Sequence, residues 1–321
     1  MEEKILSKRE QKKIKRAQKQ KEEWERLHQA NTKGERIRNK LIMAWKVLYR
    51  NKKAFIGFII LVLFMLMAII GPNVIPLSKN VDYDNRYLGI SFKHILGTDY
   101  QGIDIFAQVV HGSRDVLSVA FMAAIFTILI GFVIGAAAGF IGGWVDAVLS
   151  FIAKIIMTIP QTPVFMILAV RFNIQNPVIF ALILSLFTWA SLAMQIRAQI
   201  LSLKERDFMQ CDRMMGMSNR YIIFKEILPN ITSYLAINFV MAMYNAILMS
   251  VGLMLLGIVS YKSTNWGAMI NLAKAANGGL VSSRGYLNIF APVAVMGIFQ
   301  MACIFFSSGL EEIINPRLRE T

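Results

Sequence analysis

Of 321 residues, 55% are hydrophobic and 17% charged, with a mean hydropathy of +0.49, which excludes an ordinary soluble globular enzyme. The net charge of +15 is unevenly placed: residues 1–53 hold 18 Lys and Arg against 7 Glu, while the other 268 residues carry only +4. A basic polar tail therefore precedes a nearly neutral apolar body, the pattern of a multi-spanning membrane protein.

The tail, residues 1–53, is rich in helix formers without a sustained apolar stripe. It reads as a solvated segment on the cytoplasmic side, attracted to anionic headgroups, with too little aromatic interleaving for a nucleic-acid partner. No short apolar run before a small-residue cleavage site opens the chain, so the first apolar segment is expected to stay in the lipid bilayer. A helical crossing takes about 20 apolar residues. Six such stretches are expected: Ala54–Gly71, then Val116–Phe140, Trp144–Val170, Pro177–Met194, Ile231–Val259 and Ile289–Ser307. The third contains Pro160 and Pro163, which predict a kink or break. The resulting layout is a first span at 54–71, an extracytoplasmic loop at 72–115, a five-helix core at 116–308 and a cytoplasmic end at 309–321.

With the tail inside, cytoplasmic segments carry 26 basic residues and the outer ones 8, as the positive-inside rule requires. Lys154 is the ionisable residue set deep in a span. It is read either as facing the pore or a partner subunit, or as snorkelling towards the cytoplasmic side. In the outer loop, Asp99 and Asp104 are candidates for stabilising the loop or meeting an external protein. His94 and His111 share that loop, but their spacing does not predict a metal site. Cys211 and Cys303 are too far apart for a zinc or disulfide framework, and the scattered methionines suit plastic packing or docking rather than copper.

Residues 197–230, between the fourth and fifth spans, are too many for a simple turn. Phe208, Cys211, Met214 and Met215 fall at helical spacing; Gly216 ends that helix, and Ser218 or Asn219 caps a second, Tyr221–Ile227. Pro229 then stands where a first helical turn tolerates it, opening the fifth span. Such a helix–Gly–helix element, joined directly to a span, is suited to carry a push from a soluble partner into the bilayer. The alternative is a surface helix resting on the headgroups.

This loop resembles the signature of permease subunits of ATP-binding-cassette importers: Glu-Ala-Ala, three residues, Gly, nine residues, Ile-x-Leu-Pro. Gly216 and Leu228-Pro229 match at the right separation, Glu226 stands at the Ile and Ile227 at the free position. Gln210, Cys211 and Asp212 replace Glu-Ala-Ala. Further motifs resemble the second, C-type permease of the dipeptide/oligopeptide/nickel branch. They are Leu48-Tyr-Arg-Asn-Lys52, Leu96-Gly-Thr-Asp99 with Gly102-Ile-Asp104, Gly112-Ser-Arg114 and Gly142-Gly143-Trp-Val-Asp146. Leu255-Leu-Gly257, Trp266-Gly267 and Asn315-Pro-Arg-Leu-Arg319 continue the likeness. Ile103, where Arg is usual, and Lys154, where an acid is common, depart from the pattern.

The resemblance implies an all-α polytopic fold of the type I importer permease, with six transmembrane helices and a cytoplasmic coupling helix. It also implies a bacterial cytoplasmic membrane with both termini inside. The chain would form half of a pathway for peptides, or alternatively for nickel or another small solute. Its implied partners are a homologous second permease, two cytoplasmic ATPases that hold the ATP and Mg, and an external substrate-binding protein. Asp207, Gln210, Cys211, Asp212, Arg213, Gly216, Met217, Ile227, Leu228 and Pro229 would then face or transmit to the ATPase. The chain shows no Gly-x-x-x-x-Gly-Lys-Ser/Thr loop, so hydrolysis is expected from the partners and no catalytic residue from this chain. Nor does it show a nucleophile elbow, or the repeated filter loop of a channel.

Overall fold

A computed structural model describes residues 48–78, 80–172, 174–206, 214–259, 262–276 and 285–314, together with Arg38, Ile42, Trp45 and Met209. Most of the basic tail, the segment Asn315–Arg319 and five coupling candidates (Asp207, Gln210, Cys211, Asp212 and Arg213) lie outside the described residues.

The first span is α1, Lys52–Val74, which Asn51 starts by accepting the Ala54 N–H at 3.1 Å. It runs through Pro72 in its last turn. The second span, α2, extends over Ile105–Ile141, 37 residues or about 55 Å, well beyond the roughly 30 Å of hydrocarbon. Its start lies eleven residues before the expected Val116, because Asp104 caps it by accepting the Ala107 N–H at 2.9 Å. The expected third span is two helices, α3 (Gly143–Thr158) and α4 (Gln161–Arg171), bent 83° at the Ile159-Pro160 break. Pro160 lacks the N–H that would continue the ladder. Then follow α5 (Pro177–Lys204), α6 (Leu228–Leu255), the short α7 (Trp266–Ala276) and α8 (Tyr286–Ile314). Among the described residues, five helices are long and apolar enough to cross a membrane, or six crossings if the bent pair counts as one. The protein is an all-α polytopic membrane protein, and the isolated Thr98–Asp104 bridge is the β-pairing among the described residues.

The most extensive packing joins α2 to α5. Gly131, Gly135 and Gly139 recur at helical spacing along α2 and lie against Leu192, Ala193, Ile196 and Ile200 of α5. Without water to drive apolar faces together, membrane helices associate through such close approaches. A Cβ at Gly135 would stand 2.5 Å from the Ala193 carbonyl oxygen. We expect Gly135→Ala to cost about 1–3 kcal/mol, and Gly135→Leu to abolish recovery of folded protein in mild detergent. Thermal melting of both variants at the wild-type temperature would refute this packing.

Nearer the other end, Trp266 is fully buried and donates its indole N–H to the Val109 carbonyl at 3.0 Å, tying α7 to α2. Its ring lies edge-on to Phe64 of α1, which in turn meets Phe299 of α8. These contacts gather α1, α2, α7 and α8 around the loop that precedes α2.

Candidate functional site

The region between α5 and α6 is built on a left-handed turn. Gly216 has φ +69°, with nothing among the described residues within 4 Å of the position a Cβ would take. The requirement is backbone conformation rather than room. Met214, Met215 and Met217 beside it are exposed, Met214 at 88%. After the turn, Ser218 caps Asn219–Tyr221 by accepting the Tyr221 N–H at 3.3 Å, so the cap is Ser218 rather than Asn219.

The chain next winds as a π-helix over Ile222–Ile227 and enters α6 without a break. The separate opening of the fifth span expected at Pro229 is therefore replaced by one continuous helical element. Pro229 explains the widened turn, since it donates no hydrogen bond to the preceding carbonyls. The Asn230 side chain donates to the Glu226 carbonyl at 2.7 Å. Ile222 and Ile227 are buried against Phe132, Ile196, Ile200 and Leu203, so the element is rooted in the α2–α5 pair. Leu228 is half-buried and Pro229 exposed. The Gly216 turn and its methionines thus hang free of this chain, while the segment that follows is gripped by it.

Asp146 and Arg197 lie next to this root. Arg197 forks onto both carboxylate oxygens, Nε to Oδ1 and Nη2 to Oδ2 at 2.6 Å, and Ser150 donates to Oδ1 at 2.9 Å. Lys204 donates to the Gly139 and Phe140 carbonyls at 3.2 and 3.0 Å, satisfying the last turn of α2. The ends of α2 and α5 and the start of α3 are locked together there. Sequence reasoning placed Asp146 in a motif but did not find its partner 51 residues away. The glycine stripe of α2 is itself legible in the sequence as Gly131, Gly135 and Gly139.

At the opposite end, the acidic motif before α2 organises a loop. Asp99 is buried; its Oδ1 accepts the N–H groups of Gln101 and Ile103 at 2.8 and 2.9 Å, and Oδ2 accepts the Gln108 amide at 2.7 Å. Asp104 caps α2 and meets His94 Nδ1 at 2.8 Å. Asn85 donates to Asp82 at 2.7 Å and holds its carboxyl below the usual range. His111 turns away to the Ile75 carbonyl at 2.7 Å, and no group of three metal-ligating side chains occurs among the described residues. Both acidic candidates are thus engaged by the loop itself, Asp99 entirely so. Asp99→Ala would strand three donors, at about 2–3 kcal/mol. We expect limited proteolysis to cut residues 80–103 in that variant while sparing the wild type. Equal resistance would refute the role. Lys154 is exposed on α3, beside the buried Ala153.

An apolar multi-pass bundle, with one helical element projecting from its core and a built loop at the other end, defines a polytopic membrane protein. Residues 131–320 match the family described as the binding-protein-dependent transport system inner membrane component, and the chain belongs to that family. Residues 41–89 match the N-terminal TM domain of oligopeptide transport permease C. A putative peptide permease protein of Brucella suis biovar 1 is 30% identical over 272 residues, covering 84% of this chain and 88% of that protein. The dipeptide transport system permease protein DppC of Bacillus subtilis is 29% identical, covering 86% and 85%. The oligopeptide transport system permease protein OppC of the same organism is 29% identical, covering 89% and 94%.

Proposed function

We propose that this chain is a permease subunit of a peptide-type ABC importer, forming half of a pathway for oligopeptides or dipeptides delivered by an external binding protein. The observation that carries this reading is the element from Gly216 to Leu255. It joins an exposed turn to a span without a break, and it lies inside the stretch that matches the transport family. A second, homologous permease completes the pathway, and two ATPases dock on the coupling elements of the pair, residues 207–217 being the one in this chain. ATP-driven closure of those partners moves the turn, and the Ile222–Ile227 segment passes the motion to α2 and α5. The N- and C-termini lie on the ATPase side, as the 26-to-8 distribution of basic residues supports. Lys154, exposed on this chain, faces the pore or the second permease.

The test is reconstitution of the chain with its copurifying proteins in proteoliposomes, with ATP inside and labelled substrates outside. Uptake of di- to pentapeptides that requires ATP and the binding protein is the expected result. ATP-dependent uptake of nickel without peptide uptake would replace the peptide reading. Copurification without any ATPase would overturn the importer reading altogether. Lys154→Met is expected to lower uptake with assembly intact, and unchanged uptake would remove that residue from the pathway.

A further inference from the structure

Two cavities at the outer-loop end of the bundle share one side chain, Arg114. The larger, about 450 Å³, is an almost wholly apolar groove between α1, α2, α6 and α8, with Met65, Phe121, Met243 and Phe299 in its walls. The smaller, about 300 Å³, is a niche of mixed polarity that adds His111, Asp115, Lys262 and Thr264 around Arg114. Within it Lys262 is neutralised by Asp115 at 2.8 Å, and His111 is occupied by the Ile75 carbonyl. Arg114 is exposed and makes no hydrogen bond or ion pair among the described residues. The niche therefore offers one uncompensated cation.

Depth along α2 says what such a cation meets. Arg114 stands about 40 Å from the Ile141 end of the helix, at 1.5 Å per residue. A bilayer is about 30 Å of hydrocarbon within roughly 40–45 Å including headgroups, so Arg114 reaches the headgroup level of the leaflet on the loop side. The groove runs from it towards the other leaflet, past Leu117 and Phe121, one and two turns further along α2. A phosphate at Arg114 would leave its own acyl chain lying in the groove.

We propose that this pair of cavities is a binding site for an anionic phospholipid, with the headgroup phosphate held by Arg114 and an acyl chain in the α1/α2/α6/α8 groove. The two parts contribute differently. An acyl chain gains little by leaving other chains for an apolar groove, so the groove sets position and the guanidinium sets selectivity. Arginine suits this role because its planar fork pairs two N–H groups with two phosphate oxygens, which an ammonium does not. The proposal does not depend on what the chain transports.

The experiment uses the full chain in mild detergent with the proteins that stay bound to it. Phosphatidylglycerol or phosphatidylethanolamine is added and followed by native mass spectrometry. Wild type is expected to keep a phosphatidylglycerol adduct under activation that strips phosphatidylethanolamine. Arg114→Gln should lower that occupancy at least about tenfold, the scale of one lost charge-assisted contact, and Arg114→Lys should fall between. In a second measurement, Phe121→Trp reports on the groove: brominated-chain phosphatidylglycerol quenches its emission, and Arg114→Gln in that background relieves the quenching. If Arg114→Gln does not fold, the quenching in the Arg114→Lys background decides. Equal retention of both lipids, or retention indifferent to Arg114, would overturn the site. A photocrosslinker at position 121 that captures a polypeptide instead of lipid would overturn it too.

Discussion

Replacing Gly216 with Val is expected to abolish most ATP-dependent uptake while ATP hydrolysis by the associated ATPases continues. Gly216 sits at φ +69°, in the left-handed region that a β-branched residue reaches only with strain. A cost of about 2 kcal/mol lowers the population of the native turn about thirtyfold. The loss falls on coupling rather than folding, because among the described residues no atom lies within 4 Å of the would-be Cβ. Gly216→Asn separates conformation from composition, since asparagine tolerates the left-handed region, and it should keep near-wild-type uptake. Parallel measurement of peptide uptake and phosphate release in proteoliposomes checks both variants. Full uptake by Gly216→Val would remove this turn from the coupling mechanism.

A second large effect is expected at the Asp146–Arg197 fork. Removing one partner of a buried ion pair costs about 3–5 kcal/mol, but these side chains are 18% and 27% exposed, so about 1–3 kcal/mol is the better expectation. Arg197→Ala leaves the Asp146 carboxylate with the Ser150 hydrogen bond and the more distant Lys204 charge, and the anchorage of α3 to α5 loosens. Melting of the purified complex should fall by several degrees. Arg197→Lys should recover only part, since an ammonium cannot make both fork contacts. In a double-mutant cycle with Asp146→Asn, a coupling near zero would show that the pair is incidental. Because the fork, the Lys204 cap and the Ile222–Ile227 root all meet α5, loss of the fork should also weaken uptake.

Much of the architecture was legible because a bilayer imposes a length and a polarity on each span. Ala54–Gly71 and Pro177–Met194 fall inside α1 and α5, and the prolines at 160 and 163 announced the break that became an 83° bend. The start of α2 was misplaced because the apolar pattern begins at Val116, whereas the helix begins where Asp104 caps it, in polar sequence. The Gly216 turn was readable from a single glycine between helical patterns. The unbroken passage through Pro229 was not, because a proline in a first turn looks the same whether it opens a helix or lies in one that has already begun.

The partnerships were least legible of all. Asp99 stood out as an acidic residue in an outer loop, but nothing in its spacing showed that Gln108 and two backbone N–H groups would consume its carboxylate. Asp146 meets Arg197, and Arg114 joins a niche of mixed polarity to an apolar groove, through helices far apart in the chain.

Charge and hydropathy thus determine, by themselves, that the chain lives in a membrane and which stretches of it are apolar enough to cross. Those properties act locally, residue by residue, through the cost of burying polar groups in hydrocarbon. Which helices touch, which carboxylate finds which cation and where a cation stays free were decided only by tertiary structure. These are outcomes of packing between segments distant in sequence, which no local pattern encodes.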